Sequence, residues 1–125
     1  MKAINLSLVI LFTFILNFSV QAKYTRTVKV KYQKQYGWSK LYTVDVTFMT
    51  GYEMNQATRT YDYNMYSVYG VIFWGDGQAS IIQLSSYLIC GTVVTRNCID
   101  NSIYDLQGND QDGTKWNFCL GNYCY

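Results

Sequence analysis

The sequence predicts an all-β domain: a small antiparallel sandwich or a partly open barrel of about six to eight strands, stapled by disulfides in its C-terminal third. Three observations carry this. Long stretches alternate polar and apolar residues with period two. Short clusters of Gly, Asp, Asn and Thr punctuate them. All four cysteines, Cys90, Cys98, Cys119 and Cys124, fall near the C-terminal end.

The chain begins MKAINLSLVILFTFILNFSVQA. Lys2 precedes an apolar run from Leu6 to Val20, and Val20-Gln21-Ala22 places small residues where a signal peptidase reads. Residues 1–22 are therefore expected to be a removed signal peptide, leaving 23–125 as a single β-domain. No membrane span is expected after that removal, and the product is expected to be secreted or periplasmic. An exported chain with an even cysteine count reads as two disulfides. Of the three possible pairings, the local one, Cys90–Cys98 with Cys119–Cys124, is preferred because it closes two short loops. The C-x₇-C and C-x₄-C spacings and the absence of histidine argue against zinc.

In Tyr24 to Tyr36 the even positions carry Tyr24, Val28, Val30 and Tyr32, and the odd positions are all polar. This is a half-buried strand whose wet face is rich in lysine, a feature that would blunt a sheet margin. Gly37 to Lys40 makes a turn, and Leu41 to Met49 alternates again with Tyr42, Val44, Val46 and Phe48 facing inward. Thr50-Gly51 marks a reversal, and Tyr52 to Asn55 is expected as a short third strand. Gln56 to Asn64 reads equally as strand or long loop. Met65 to Trp74 is the most apolar segment after the leader and is rich in β-branched and aromatic residues, as a strand covered on both faces would be. Trp74-Gly75-Asp76-Gly77 supplies a tight turn into its partner, Gln78 to Leu84. Ser85 to Asn101 is irregular, with room for a helical turn. Ile103 to Gln107 and Thr114 to Cys119 make the last hairpin.

The tip of that hairpin, NDQDGT, contains D-x-D-G, the one stretch that resembles a calcium loop. Setting Gly113 at position 6 of an EF-hand puts Gly108 at position 1 and Cys119 at position 12, where a carboxylate and a bidentate glutamate are required. A turn capped by its own Asp side chains, with Trp116 packed inside, accounts for every residue. Asp110 and Asp112 remain a weak calcium candidate, and no other cofactor is expected.

Charge is unevenly placed. Lys23, Arg26, Lys29, Lys31, Lys34 and Lys40 precede any acid, whereas Leu41 to Tyr125 holds three basic residues against eight acidic ones. A solvated strand face explains the lysines, and a patch for an anionic surface is the alternative. No nucleic acid partner is expected.

Histidine is absent, which removes Ser-His-Asp and Cys-His chemistry. Glu53 is the only glutamate, and no spacing among the aspartates argues for a paired-carboxylate hydrolase. What the chain has in excess is aromatic rings: thirteen tyrosines and three tryptophans. Tyr61, Tyr63, Tyr66 and Tyr69 cluster in YDYNMYSVY, and Trp38 lies in the first turn. These five residues are the expected binding surface, because a tyrosine offers a flat apolar body with a polar tip. The reading that follows is a non-catalytic binding module for a protein or a glycan. Alternatives of other classes are a self-assembling structural or surface component and a small hydrolase with an unrecognised carboxylate pair.

Overall fold

The computed structural model describes residues 24–86, 88–102 and 105–125. The expected signal peptide at 1–22 lies outside these residues, as do Ile103 and Tyr104 of the last predicted hairpin.

The elements in chain order are β1 (Tyr24–Lys34), β2 (Gly37–Trp38), β3 (Tyr42–Thr50), α1 (Gly51–Thr58), β4 (Val68–Gly75), β5 (Gln78–Leu84), α2 (Arg96–Asp100), β6 (Leu106–Asn109) and β7 (Lys115–Cys119). Every pairing is antiparallel. The order is β2-β1-β3-β4-β5-β6-β7, and a further β1–β7 ladder, Lys29↔Cys119 to Tyr32↔Trp116, closes six strands into a barrel. Of the two predicted architectures the barrel forms, and it is closed. The lysine-rich β1 is therefore no sheet margin. Its eleven residues reach β3, β7 and β2 in succession and form the seam of the closure.

The period-two alternation of β1 and β3 has its cause in this geometry. Val28, Val30, Val46 and Phe48 point inward to meet Ile72, Ile82, Leu106, Trp116 and Phe118, all within the buried core. Trp116, Phe48 and Phe118 are fully buried, and their volume leaves the barrel filled rather than hollow. Gly70 belongs to this fit: a Cβ there would lie 2.7 Å from Phe118 Cε2 and 3.1 Å from Val46 Cγ1. One end is closed by four rings in a cycle. Tyr32 stacks on Tyr42 at 6.2 Å, Tyr42 meets Trp74 edge-on, Trp74 packs at 6.1 Å on Trp116, and Trp116 lies 5.2 Å from Tyr32. The turns at this end are short, as in Gly75-Asp76-Gly77, where all three residues have positive φ.

The segment predicted as a third strand is helix α1, and this corrects the reading of Tyr52 to Asn55. The reason is a capping box. Thr50 Oγ1 accepts the Glu53 N–H at 3.1 Å, and the Glu53 carboxylate accepts the Thr50 N–H at 3.1 Å. Arg59 then ends the helix in the left-handed region. Met54 and Ala57 of α1 cover the outer face of β4 and β5 at Tyr69, Val71 and Ile81. That second layer explains why Met65 to Trp74 reads as apolar on both faces, although the strand itself starts only at Val68.

The end opposite the ring cycle carries the long connections. Residues 88–102 fold over it with α2, and Val94 and Ile99 enter the core. Two devices fix them there. Glu53 Oε1 also accepts the Val94 N–H at 2.9 Å, and Thr50 Oγ1 donates to the Thr92 carbonyl at 2.6 Å. The disulfides pair as preferred, Cys90–Cys98 and Cys119–Cys124. Two such bridges fit an oxidising, extracytoplasmic compartment. Among the described residues no helix is long and apolar enough to cross a membrane.

Candidate functional site

The tyrosine-bearing stretch after α1 is pinned over the outer face of β4. The Asn55 side chain bonds the main chain of Tyr63 in both directions, donating to its carbonyl at 3.0 Å and accepting its N–H at 2.9 Å. Tyr69 Oη accepts the Asn64 N–H at 2.9 Å, and the Gly51 N–H donates to the Ser67 carbonyl at 2.8 Å. These bonds set the half-buried Tyr63 ring edge-on to Tyr69, with centroids 5.3 Å apart. Burial pushes both hydroxyls above the usual tyrosine range, and Asp62 adds to the effect at Tyr63. Both therefore remain protonated at neutral pH.

The neighbouring wall comes from strands far away in sequence. β6 pairs with β5 only at Gln83↔Asn109 and Leu84↔Gly108. Beyond that point the Gln111 side chain replaces the missing ladder: its Oε1 accepts the Ile81 N–H at 3.0 Å and its Nε2 donates to the Ala79 carbonyl at 3.1 Å. Between this wall and Tyr63 lies a groove of about 290 Å³. Tyr69 and Ile81 form its floor, and Asp62, Gln83 and Asn109 stand exposed along its rim.

The five sequence-predicted binding residues thus part company. Tyr63 lines the groove. Tyr61 and Tyr66 stand free on the same connection, 97% and 79% exposed. Tyr69 is only 5% exposed, and its ring is covered by Tyr63 and α1. It serves the groove as floor rather than as outer surface, because alternation along β4 turns it under the helix. Trp38 sits on β2, beneath the Lys31 ammonium at 5.1 Å, and no residue of β1 or β2 lines the groove. Asp62, Gln83, Asn109 and Gln111 escape sequence reasoning altogether. They meet only once the barrel closes, and no local pattern marks them.

Asp110, half of the calcium candidate, is engaged by the turn itself. One carboxylate oxygen accepts the Asp112 and Thr114 N–H groups at 2.9 Å each, and the other accepts the Trp116 indole N–H at 3.0 Å. Three of its roughly four lone-pair positions serve the turn and a core ring, while Asp112 is exposed and contributes a backbone donor. Among the described residues no three His, Cys, Asp or Glu side chains converge as a metal site.

Asp100 and Asp105 line a second groove together, beside Arg26 and Tyr123. Asp100 accepts from Tyr24 Oη and Arg26, and Asp105 accepts from Asn117 Nδ2 at 3.0 Å. Burial and the Asp100 bond push the Tyr24 hydroxyl up. These bonds tie α2 to β1 and the residue before β6 to β7. Comparison of the chain with family models, curated proteins and solved structures gives no match.

Proposed function

We propose that this chain is an exported, non-catalytic binding module, and that it holds a glycan in the groove between Tyr63 and β5–β6. The supporting observation is where free space lies. The barrel interior is packed, one end is plugged by four aromatic rings, and α2 covers the other, so recognition falls to the outer surface. There the groove joins ring surface at Tyr63 and Tyr69 to exposed amide and carboxylate groups at Asp62, Gln83 and Asn109. Apolar floor with a few convergent polar groups is the usual make-up of a small-ligand site, and its volume sits at the low end of the roughly 300–1,000 Å³ common for such sites. One or two sugar rings fit that scale.

Exposed Tyr61 and Tyr66, with Met65 between them at 43% exposure, favour a protein partner as the second reading. Self-assembly through a sheet edge has little support, since closure leaves the two-residue β2 as the free margin. The test is a melting screen of the oxidised domain against soluble glycans. A ligand at one hundred times its dissociation constant stabilises the fold by about 2.7 kcal/mol. Tyr63→Ala and Asn109→Ala should abolish the shift, and Tyr61→Ser with Tyr66→Ser should leave it. Loss on changing Tyr61 and Tyr66 instead, or no shift with any glycan, rejects the groove as a sugar site.

A further inference from the structure

A second surface lies apart from the groove, on the outer face where β1 runs between β2 and β7. The β1–β2 pairing Gln33↔Trp38 places Trp38 on the same face as Gln33, and so on the face of Lys31 and Lys29. Across the closure, Lys31 pairs with Asn117, two residues from Lys115 on that same face. The hairpin ends in Tyr36, 91% exposed, with Lys34 and Lys40 exposed on either side of it. Trp38 itself is 38% exposed.

Lys29, Lys34 and Lys115 have no side-chain ion pair among the described residues, although the exposed Asp105 borders this face through its bond to Asn117. Among the described residues the one ion pair is Arg26–Asp100, at the other end of β1. Lys31 reaches the main-chain oxygen of Tyr125 at 2.9 Å, and Lys40 lies 5.1 Å over the Tyr42 ring. The outward carboxylate of β3, Asp45, is held by Thr27 at 2.7 Å, lower on the barrel. Asp112, in the turn before β7, is the acid in sequence nearest to Lys115.

We infer that the β1–β2 hairpin and the adjoining face of β7 dock on an anionic lipid bilayer, with Tyr36 and Trp38 at the headgroup level and the lysines on the phosphates. Two independent features select this occupant. Lysines on the outer face, Lys29 and Lys115, and about the hairpin tip, Lys34 and Lys40, together complement a negatively charged surface. A tryptophan and a tyrosine at the tip of a projecting turn, ringed by lysines, match the amphipathic side chains that settle at a membrane–water interface. A soluble polyanion without stacking groups of its own would use the charge but gain nothing from an exposed tip of rings.

The experiment is co-sedimentation of the oxidised domain with phosphatidylcholine vesicles, with and without phosphatidylglycerol, at low and high salt. Binding is expected only to the anionic vesicles and is expected to fall with salt. Lys29→Gln with Lys34→Gln should lower partition about 25-fold, taking about fivefold for each lysine near the surface. Tyr36→Ser with Trp38→Ser should also lower it, at unchanged charge, and Trp38 emission should shift to the blue on binding. All four residues are exposed, so circular dichroism is expected to show intact folds. Equal binding to neutral vesicles, or none to anionic ones, overturns the inference. So does binding that depends on the lysines but not on Tyr36 and Trp38, which would make this face a general polyanion site.

Discussion

Replacing Asp110 by alanine removes one carboxylate that serves three N–H donors: the main chain of Asp112 and Thr114, and the indole of the fully buried Trp116. Hydrogen bonds to a charged acceptor contribute about 1.5–3 kcal/mol each, and a buried donor left without a partner costs about 1–3 kcal/mol. The three bonds share one acceptor and are not additive. A loss of about 3–5 kcal/mol is the expected total, a large part of the 5–15 kcal/mol typical of a whole domain. At about 4–8 °C per kcal/mol for a domain of this size, melting should fall by more than about 10 °C. Asp112→Ala is the control, because that side chain is exposed; it should cost within about 0.5 kcal/mol. Urea or thermal unfolding followed by tryptophan fluorescence measures both. Equal losses at the two positions, together with a calcium-dependent rise in melting temperature, would refute the turn reading and restore a metal site.

Glu53 gives a pH signature. Burial holds its carboxyl above the usual glutamate range, against the pull of the Thr50 and Val94 bonds, and Oε2 is buried without a hydrogen-bond partner among the described residues. A raised folded value means that its contribution is fully present below the ordinary glutamate value, about 4.3, and is lost as pH rises through the folded value. Glu53→Gln should flatten that part of the stability–pH profile, while Glu53→Ala should destabilise by about 2–4 kcal/mol by stranding two N–H donors; a profile unchanged in the glutamine variant contradicts this. Gly70→Ala should cost about 1–3 kcal/mol by overpacking Phe118 and Val46, and a neutral result would mean that the barrel core yields more than its packing suggests. Intact mass before and after reduction should show all four cysteines protected, and four free thiols would contradict the pairing.

The strands that sequence reveals best are those with one wet face. In β1 and β3 the inner residues meet the core and most outer residues meet water, so period-two alternation appears in the letters themselves. α1 was hidden for the opposite reason. It is eight residues long, and its buried residues, Glu53 and Thr58 among them, include too many polar ones to print an apolar stripe. The legible signal was Thr50-x-x-Glu53, a capping box, set against an apparent continuation of strand alternation. Tyr69 shows the matching limit for function. A cluster of tyrosines in sequence says nothing about which ring a helix will cover, and here α1 covers that one. The groove was illegible because its rim residues, Asp62, Gln83 and Asn109, become neighbours only through β5–β6 pairing.

The two barrel ends also divide the work of holding the fold. At the ring-plugged end the connections are short and the closure is made by packed rings, of which Trp74 donates to Ser80 and Trp116 to Asp110. At the other end the chain between β5 and β6 has no ladder of its own, and backbone without a ladder must be ordered by other means. Both disulfides lie on that side, one within this connection and one in the tail after β7. The same connection is held through Val94 and Thr92 to the Thr50–Glu53 cap, and a burial-raised carboxyl sits at that joint. Reduction should therefore loosen 88–102 and the tail first, while the β1–β2 hairpin and the Tyr63 groove, held by ladders and side-chain bonds, keep their form. Hydrogen exchange on the oxidised and reduced protein separates the two: early exchange confined to 88–102 and 120–125 supports this division, and early exchange in β1 or β4 refutes it.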